Sequence, residues 1–449
     1  MKKYASLFLI LLFATFTVLI VTKRKPAIQY TVIERKGINE TEWLNSKQAI
    51  ENLLTAIRNN PKDLKSKLKL AYAYIQEGRT SGNHAYYDKA ALSLCDEILE
   101  SEKDNYDAIC AKATVLLSQH HFSDAKPFAE KAIGLNAYNA TAYGILTDAY
   151  VELGDYDYAI RSADKMVSIR PDIRSYARVS YLREITGDTP GAIEAMKLAV
   201  SSGYPGNEQT AWTRCQLARL YENTAQMDQA QLQYDLALSE RPMYPFAIAG
   251  LGRIAKANGN YKLAIEKFEL AKQVMNDFSF DQELTEIYRL DNQPKKSYAS
   301  AQKTIEDLAG LAGNESETTH GHYADRELAY AYLDAYNYSL ALKHALIEYH
   351  RRPDNIDVNQ ALGWVYYKLG QYDNADRYMN VALKTHSKNA VLLYEAGLVK
   401  KSAGKISEGS KLMTDAVRIN PFISPILKWE GSKQLAVATT NQQSKNGIN

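Results

Sequence analysis

Small apolar residues recur along the chain against a polar background at a spacing close to 34 residues. One column runs Ala49, Ala90, Ala125, Ala159, Ala192, Ala230, Ala264, Ala341, Ala375 and Gly409. From Ala125 onward its steps are 34, 33, 38, 34, 77, 34 and 34. The step of 77 holds two periods and nine further residues, so it conceals one degenerate copy. Other columns keep register with the first. Seven residues after it come Ala56, Ala132, Ala199, Ala237, Ala271, Ala382 and Ala416. Twelve after it come Pro61, Pro171, Pro242, Pro353 and Pro421. Twelve before it lie Ala113, Thr147, Ala218, Gly252, Ala329, Gly363 and Gly397, and three before it Phe122, Tyr156, Tyr261, Tyr338 and Tyr372.

The columns predict two helices per copy, joined by a turn that holds Gly154, Gly259, Gly370 or Gly404. Small residues on both helices let the pair approach closely, and aromatics fill the wedge toward the next pair. Proline cannot continue a helix through its body and so marks the exit. A single pair cannot bury its apolar face, so copies stack into one continuous core. The expected fold is all-α: a solenoid of about ten helix pairs, one of them degenerate.

Leu362-Gly363-Trp364-Val365-Tyr366 and Gly370-Gln371-Tyr372-Asp373-Asn374-Ala375 carry a close resemblance to the tetratricopeptide repeat family, and Pro353 and Pro421 fall at its terminal proline. The resemblance spans about Ser46 to Ile423, with the clearest copies at 140–173, 211–244, 245–278, 356–389 and 390–423. It implies a superhelix whose first helices line a concave face that grips extended peptides or partner helices. Chaperone-binding members use a lysine–asparagine clamp for a terminal carboxylate. That clamp has no counterpart here, where Arg326 is followed four residues on by Tyr330.

Departures from the period suggest the domain layout. An insertion at 79–84 is expected to lengthen one turn, and 203–207 to add a kink. The columns blur over 279–305, and Gly310 to His322 reads as a loop. The expected segments are 41–309 as a first block, 310–322 as a loop, 323–434 as a second block with a cap, and 435–449 as a disordered tail.

The N-terminus is of another character. Lys2 and Lys3 precede an uncharged run from Tyr4 to Thr22, which Lys23, Arg24 and Lys25 end. The run is long enough for a membrane-crossing helix, and bulky Leu19, Ile20 and Val21 stand where a signal-peptidase site needs small residues. Residues 1–25 are therefore expected to anchor the chain in a membrane through residues 4–22, with 26–40 as a linker. Positive charge on both flanks leaves orientation weakly set. The Met-Lys-Lys start favours an extracytoplasmic, periplasmic body, and cleavage would leave a secreted form.

Composition narrows the function. A net charge of +2 gives no bulk attraction to nucleic acid, and no such partner is expected. Cys95, Cys110 and Cys215 form no C-x-x-C pair and read as buried thiols. Gly250-Leu251-Gly252-Arg253-Ile254-Ala255 imitates a dinucleotide fingerprint, but its glycines fall on packing columns inside a helix. Walker, zinc-helix and nucleophile-elbow patterns are missing, and neither a catalytic residue nor a cofactor is expected. The rival is an envelope protein with a metal-binding or hydrolytic role built on His320, His322, His344 and His350. The leading expectation is a membrane-held scaffold that binds protein or peptide segments. Its concave face would carry Trp212, Arg219, Tyr323, Arg326, Tyr330, Trp364, Tyr367, Lys368 and Tyr394, because aromatic and arginine anchors dominate such interfaces.

Overall fold

A computed structural model describes residues 30–35, 40–312 and 321–432. Residues up to Glu34 form a unit of their own, of which 30–34 are described and non-helical; the chain from Arg35 onward is a second, compact unit. The expected anchor over 4–22, His320 and the tail lie outside the described residues. Among the described residues no helix is long and apolar enough to cross a membrane.

The second unit begins with α1 (Glu40–Asn59). Ten helix pairs follow: α2 (Leu64–Ser81) with α3 (His84–Ser101), α4 (Tyr106–Ser118) with α5 (Phe122–Leu135), and α6 (Ala140–Leu153) with α7 (Tyr156–Ile169). Next come α8 (Ile173–Ile185) with α9 (Thr189–Ser201), α10 (Glu208–Asn223) with α11 (Met227–Glu240), and α12 (Pro245–Ala257) with α13 (Tyr261–Val274). The last four are α14 (Phe278–Leu290) with α15 (Pro294–Ala312), α16 (Asp325–Asp334) with α17 (Tyr338–Arg351), α18 (Ile356–Lys368) with α19 (Tyr372–Ala382), and α20 (Ala390–Ser402) with α21 (Ile406–Ile419). A further helical stretch covers 425–432.

The small-residue column sits where the two helices of a pair touch. Ala125, Ala159, Ala192, Ala230, Ala264, Ala341 and Ala375 are fully buried. In the last pair a Cβ added to Gly409 would lie 2.5 Å from the Gly397 carbonyl oxygen, so no larger residue fits between α20 and α21. Asparagine and aspartate start many helices by accepting backbone N–H bonds: Asn139 Oδ1 from Thr141, Asn389 Oδ1 from Val391 and Leu392, and Asp172 with Ser175 as a reciprocal box.

The degenerate copy proves to be a regular pair in register. Thr285 and Ser297 occupy the two small-residue columns, and Tyr288 holds the aromatic position of the first helix. Ser297 Oγ donates to the Thr285 carbonyl at 2.8 Å, binding α15 to α14. The same bond runs in reverse from Ser180 Oγ to the Ala192 carbonyl at 2.7 Å. Two expected boundaries move. The insertion at 79–84 is absorbed as helix, with α2 and α3 each 18 residues long, and the turn left between them is Gly82 and Asn83. The helix of α15 extends to Ala312, into the segment expected to be loop.

The pairs wind into a superhelix whose second turn rests on the first. Contacts recur between residues about 200 apart. Arg241 pairs with Glu42, Tyr323 N donates to Gln119 O at 3.0 Å, and Asn420 Nδ2 donates to Glu222 O at 3.1 Å. The densest clamp joins the end of α6 to the start of α18. Asn355 Oδ1 caps α18 through Asp357 N and Val358 N, while its Nδ2 donates to Glu152 O at 3.0 Å. Ile356 N donates to the Tyr156 hydroxyl at 2.9 Å, and Arg352 pairs with Glu152 and, at 2.5 Å, with Glu348. Gly154 makes this approach feasible. Its φ is +86°, and a Cβ there would sit 2.4 Å from the Asp354 carbonyl.

Candidate functional site

The first helix of each pair faces inward, and five consecutive ones, α2, α4, α6, α8 and α10, line a concave cavity of about 540 Å³. That volume lies within the roughly 300–1,000 Å³ typical of ligand sites. Arg174, Arg178 and Tyr181 project from α8 at i, i+4 and i+7, which puts them on one helix face. Arg178 donates to Asp148 at 2.8 and 2.5 Å. Arg79 reaches across the cavity to Glu208 at 3.5 Å. Trp212 stands in this wall and also in that of a neighbouring cavity of about 340 Å³, which Arg219, Phe246, Arg253, Phe280 and Glu283 complete. A larger gap of about 880 Å³ lies elsewhere, between α9–α11 on one superhelical turn and α20–α21 on the next.

Of the nine residues read from the sequence, Trp212 and Arg219 share an open cavity. Arg219 is exposed and Trp212 half-buried. The others lie near one another but are already engaged. Trp364 stacks on Tyr367 with centroids 4.7 Å apart, and Lys368 Nζ sits 4.6 Å above the Trp364 ring. Trp364, Tyr367 and Tyr394 are only 7%, 6% and 5% exposed. They share one core cluster with Ile423 and Leu427, and half-buried Tyr330 packs against it. Lys368 Nζ bonds Glu430 at 2.6 and 2.5 Å, so the 425–432 stretch covers this end of the concave face. Arg326 Nη2 bonds Glu327 at 2.7 Å, and its Nη1 bonds Asp357 at 3.4 Å. Tyr323 stacks on His121 with centroids 3.8 Å apart, and the Arg351 guanidinium lies 3.8 Å from the Tyr323 ring centroid.

Three carboxyls of the second block have shifted affinities for protons. Burial pushes Glu395 up to about 7, against the opposing Gln360 Nε2 hydrogen bond of 2.8 Å. Burial likewise raises Asp334 to about 6, partly offset by Arg289. Burial alone would raise Glu327, but Arg326 and His120 hold it down at about 2.

The histidines take separate partners. His322 meets His120 with ring centroids 4.2 Å apart, and burial followed by His120 lowers it to about 3. His344 Nδ1 bonds Asp325 at 2.6 Å, and the His350 ring lies beside Tyr349. Among the described residues no group of three or more His, Cys, Asp or Glu is placed to hold a metal ion. The three thiols are free and buried, as expected. Gly250 and Gly252 pack under the Tyr234 and Phe268 rings inside α12, with no strand before them, so they form no nucleotide loop.

The sequence reading passed over Arg174, Arg178, Tyr181 and Tyr72. Their common face on α8, opposite Tyr72 on α2, was readable. It lacked weight beside the aromatic-rich 364–367 stretch, whose burial depends on residues 62 positions away.

Several solved structures align with parts of the chain. A thermophilic tetratricopeptide repeat protein of Thermus thermophilus aligns at 20% identity over 43% of this chain and 97% of its own, with a TM-score of 0.37. The human IFIT1 dimer with PPP-AAAA aligns at 14% identity over 78% of this chain and 80% of that one, with a TM-score of 0.48. A tetratricopeptide repeat protein of Parabacteroides merdae aligns at 15% identity over 57% and 94%, with a TM-score of 0.41. No curated protein matches the sequence. The tetratricopeptide repeat family profile matches residues 356–385, the α18–α19 pair. That pair is thus a repeat of the tetratricopeptide type, and it stands in register with nine others built on the same columns.

Proposed function

We propose that the chain is a protein-binding scaffold, held at a membrane by residues 4–22 with its body outside the cytoplasm, and that its concave face receives a segment of a partner protein. The observation that carries this reading is the 540 Å³ cavity walled by five successive first helices. Elsewhere the paired helices spend their apolar faces on one another, so the inner wall is where side chains remain available to a visitor. The binding stretch extends from Tyr72 to Arg219, with Trp212 shared by its two cavities. Tyr330, Trp364, Tyr367, Lys368 and Tyr394 lie beneath the C-terminal stretch and join binding only where that stretch is displaced. Anchoring would raise the effective concentration of membrane-associated partners. The uncharged run between Lys3 and Lys23 supports the tether.

Site-specific photocrosslinking in intact cells tests the scaffold. A benzophenone amino acid replaces Trp212 in one variant and Tyr138, which is 85% exposed on another face, in a second. Discrete adducts with the same identified protein from position 212 and not from 138 are expected. Equal yields at both positions, or none, would reject concave binding. Alkaline carbonate extraction and a C-terminal reporter fusion test the tether and its orientation separately.

A further inference from the structure

The concave cavity has an uneven charge. Arg79, Arg170, Arg174 and Arg178 converge on it. Three of the four are matched by carboxylates: Arg79 by Glu208 at 3.5 Å, Arg170 by Asp172 at 2.6 Å, and Arg178 by Asp148 at 2.5 Å. The Arg174 guanidinium has no hydrogen bond or ion pair among the described residues, although it is exposed at the wall. Partial desolvation at the wall and then its cationic neighbours Arg178, Arg79 and Arg170 depress its pKa, offset only in part by Asp172, so the local field is net positive. Exposed Tyr72 adjoins it from α2, with its hydroxyl donating to Asp107 O at 3.1 Å, and Trp212 stands in the same wall.

Building on the scaffold reading, we propose that this cavity is the docking site for an acidic stretch of an extended peptide, with one Asp or Glu carboxylate received by Arg174 and its neighbouring side chains lying against Tyr72 and Trp212. Charge complementarity selects this occupant. One uncompensated cation among three internally matched ones suits an isolated carboxylate. Asp148 lines the same wall, and Asp172 and Glu208 engage arginines of it; with a single cation left over, the wall matches one carboxylate and not the unbroken charge of a phosphate backbone, which disfavours nucleic acid. Gln76, Thr114, Thr141 and Gln209 place hydrogen-bonding side chains along the cavity to meet a peptide main chain.

The test uses the full chain in a non-ionic detergent with three fluorescein-labelled probes read by anisotropy. These are an octapeptide of alternating glutamate and serine, its lysine–serine counterpart, and a single-stranded thymidine octamer. The acidic peptide should bind, and more weakly as salt rises. Arg174→Gln should weaken it about tenfold, the value of one charge-assisted contact. Arg161→Gln removes an equal charge beside Tyr158, outside the cavity, and should leave binding unchanged. Arg174 holds no side-chain partner, so thermal melting of its variant should match wild type and exclude misfolding. Indifference to the acidic peptide, equal effects of the two variants, or equally tight binding of the oligonucleotide would overturn the proposal. Binding of the lysine peptide that is lost in Trp212→Ala would also overturn it, while leaving the concave-scaffold reading intact.

Discussion

Every turn inside a helix pair places the residue two before the second helix in the left-handed region, and not all of these residues are glycine. Gly154, Gly259, Gly370 and Gly404 hold the position as the sequence announced, but His120, Ala225, Asn292 and Tyr336 hold it with φ of 62°, 59°, 55° and 59°. A Cβ there costs about 1–2 kcal/mol. Ala225→Gly relieves that strain and gives back part of it through a more flexible unfolded chain. The expected net gain is roughly 0.5 kcal/mol in urea unfolding, and an unchanged or lower midpoint would contradict it. Glu395 gives a second prediction. Its folded pKa of about 7 lies above the ordinary 4.5, so the folded state holds the proton more tightly. The stability this contributes is present below pH 4.5 and disappears as pH rises through 7, a loss on the order of 3 kcal/mol. His322 acts oppositely: with its pKa lowered to about 3, its contribution is full above its ordinary 6.5 and falls away as pH drops below that. Comparing wild type with Glu395→Gln between pH 5 and 8 isolates the carboxyl. The variant should lose less stability toward pH 8, and parallel curves would show that Glu395 is not buried as a neutral acid. None of this was legible beforehand, because desolvation of one carboxyl depends on what the folded chain stacks over it.

At the scale of the helix pair, the sequence was informative wherever small residues were alanine or glycine and lost its voice where they were serine or threonine. Ala264 and Ala341 flag their pairs at sight, whereas Ser297 and Thr285 do the same packing and look like surface residues in a string. The hydroxyls escape penalty because Ser297 Oγ finds the Thr285 carbonyl at 2.8 Å, which satisfies a buried polar group in the closest part of the interface. Size is therefore the first requirement at this position and polarity the second. Ser297→Ala should cost about 1 kcal/mol, the worth of a net hydrogen bond. Ser297→Leu should cost more, about 2–3 kcal/mol, because α14 and α15 must separate. Thermal melts of both variants decide between the two requirements. A larger loss from alanine than from leucine would mean that the hydrogen bond, not the close approach, holds the pair. The insertion at 79–84 misled for a related reason. Gly78 reads as a turn signal, but it lies within α2, and Gly82 with φ +77° is the residue that ends the helix.

For the molecule from Arg35 onward, the period of 34 foretold the stacking of neighbours and said nothing of the contacts between residues 200 apart. A solenoid whose repeats touch only their neighbours unfolds piecewise, since its stability is a sum of local terms. Here the second superhelical turn is fastened to the first, and the clamp at α6 and α18 supplies the link. Arg352 is 4% exposed and holds both Glu348 and Glu152, while Asn355 and Ile356 bond Glu152 O and the Tyr156 hydroxyl. The same winding draws α2 and α10 close enough for Arg79 to reach Glu208, which closes the concave cavity into its present form. Clamp and binding face are thus two outcomes of one curvature. Arg352→Ala leaves Glu152 without its cation and Glu348 with Arg351 alone, so it should cost about 3 kcal/mol. The informative readout is where that loss appears. If the turns are coupled, hydrogen exchange should accelerate at 151–156 as well as at 350–356, although the two stretches are 200 positions apart. Acceleration confined to 350–356 would show the clamp to be a passive contact and return the chain to nearest-neighbour behaviour. Because α6 also lines the concave cavity, coupled loosening should weaken whatever binds at Trp212 without any change to the residues that touch it.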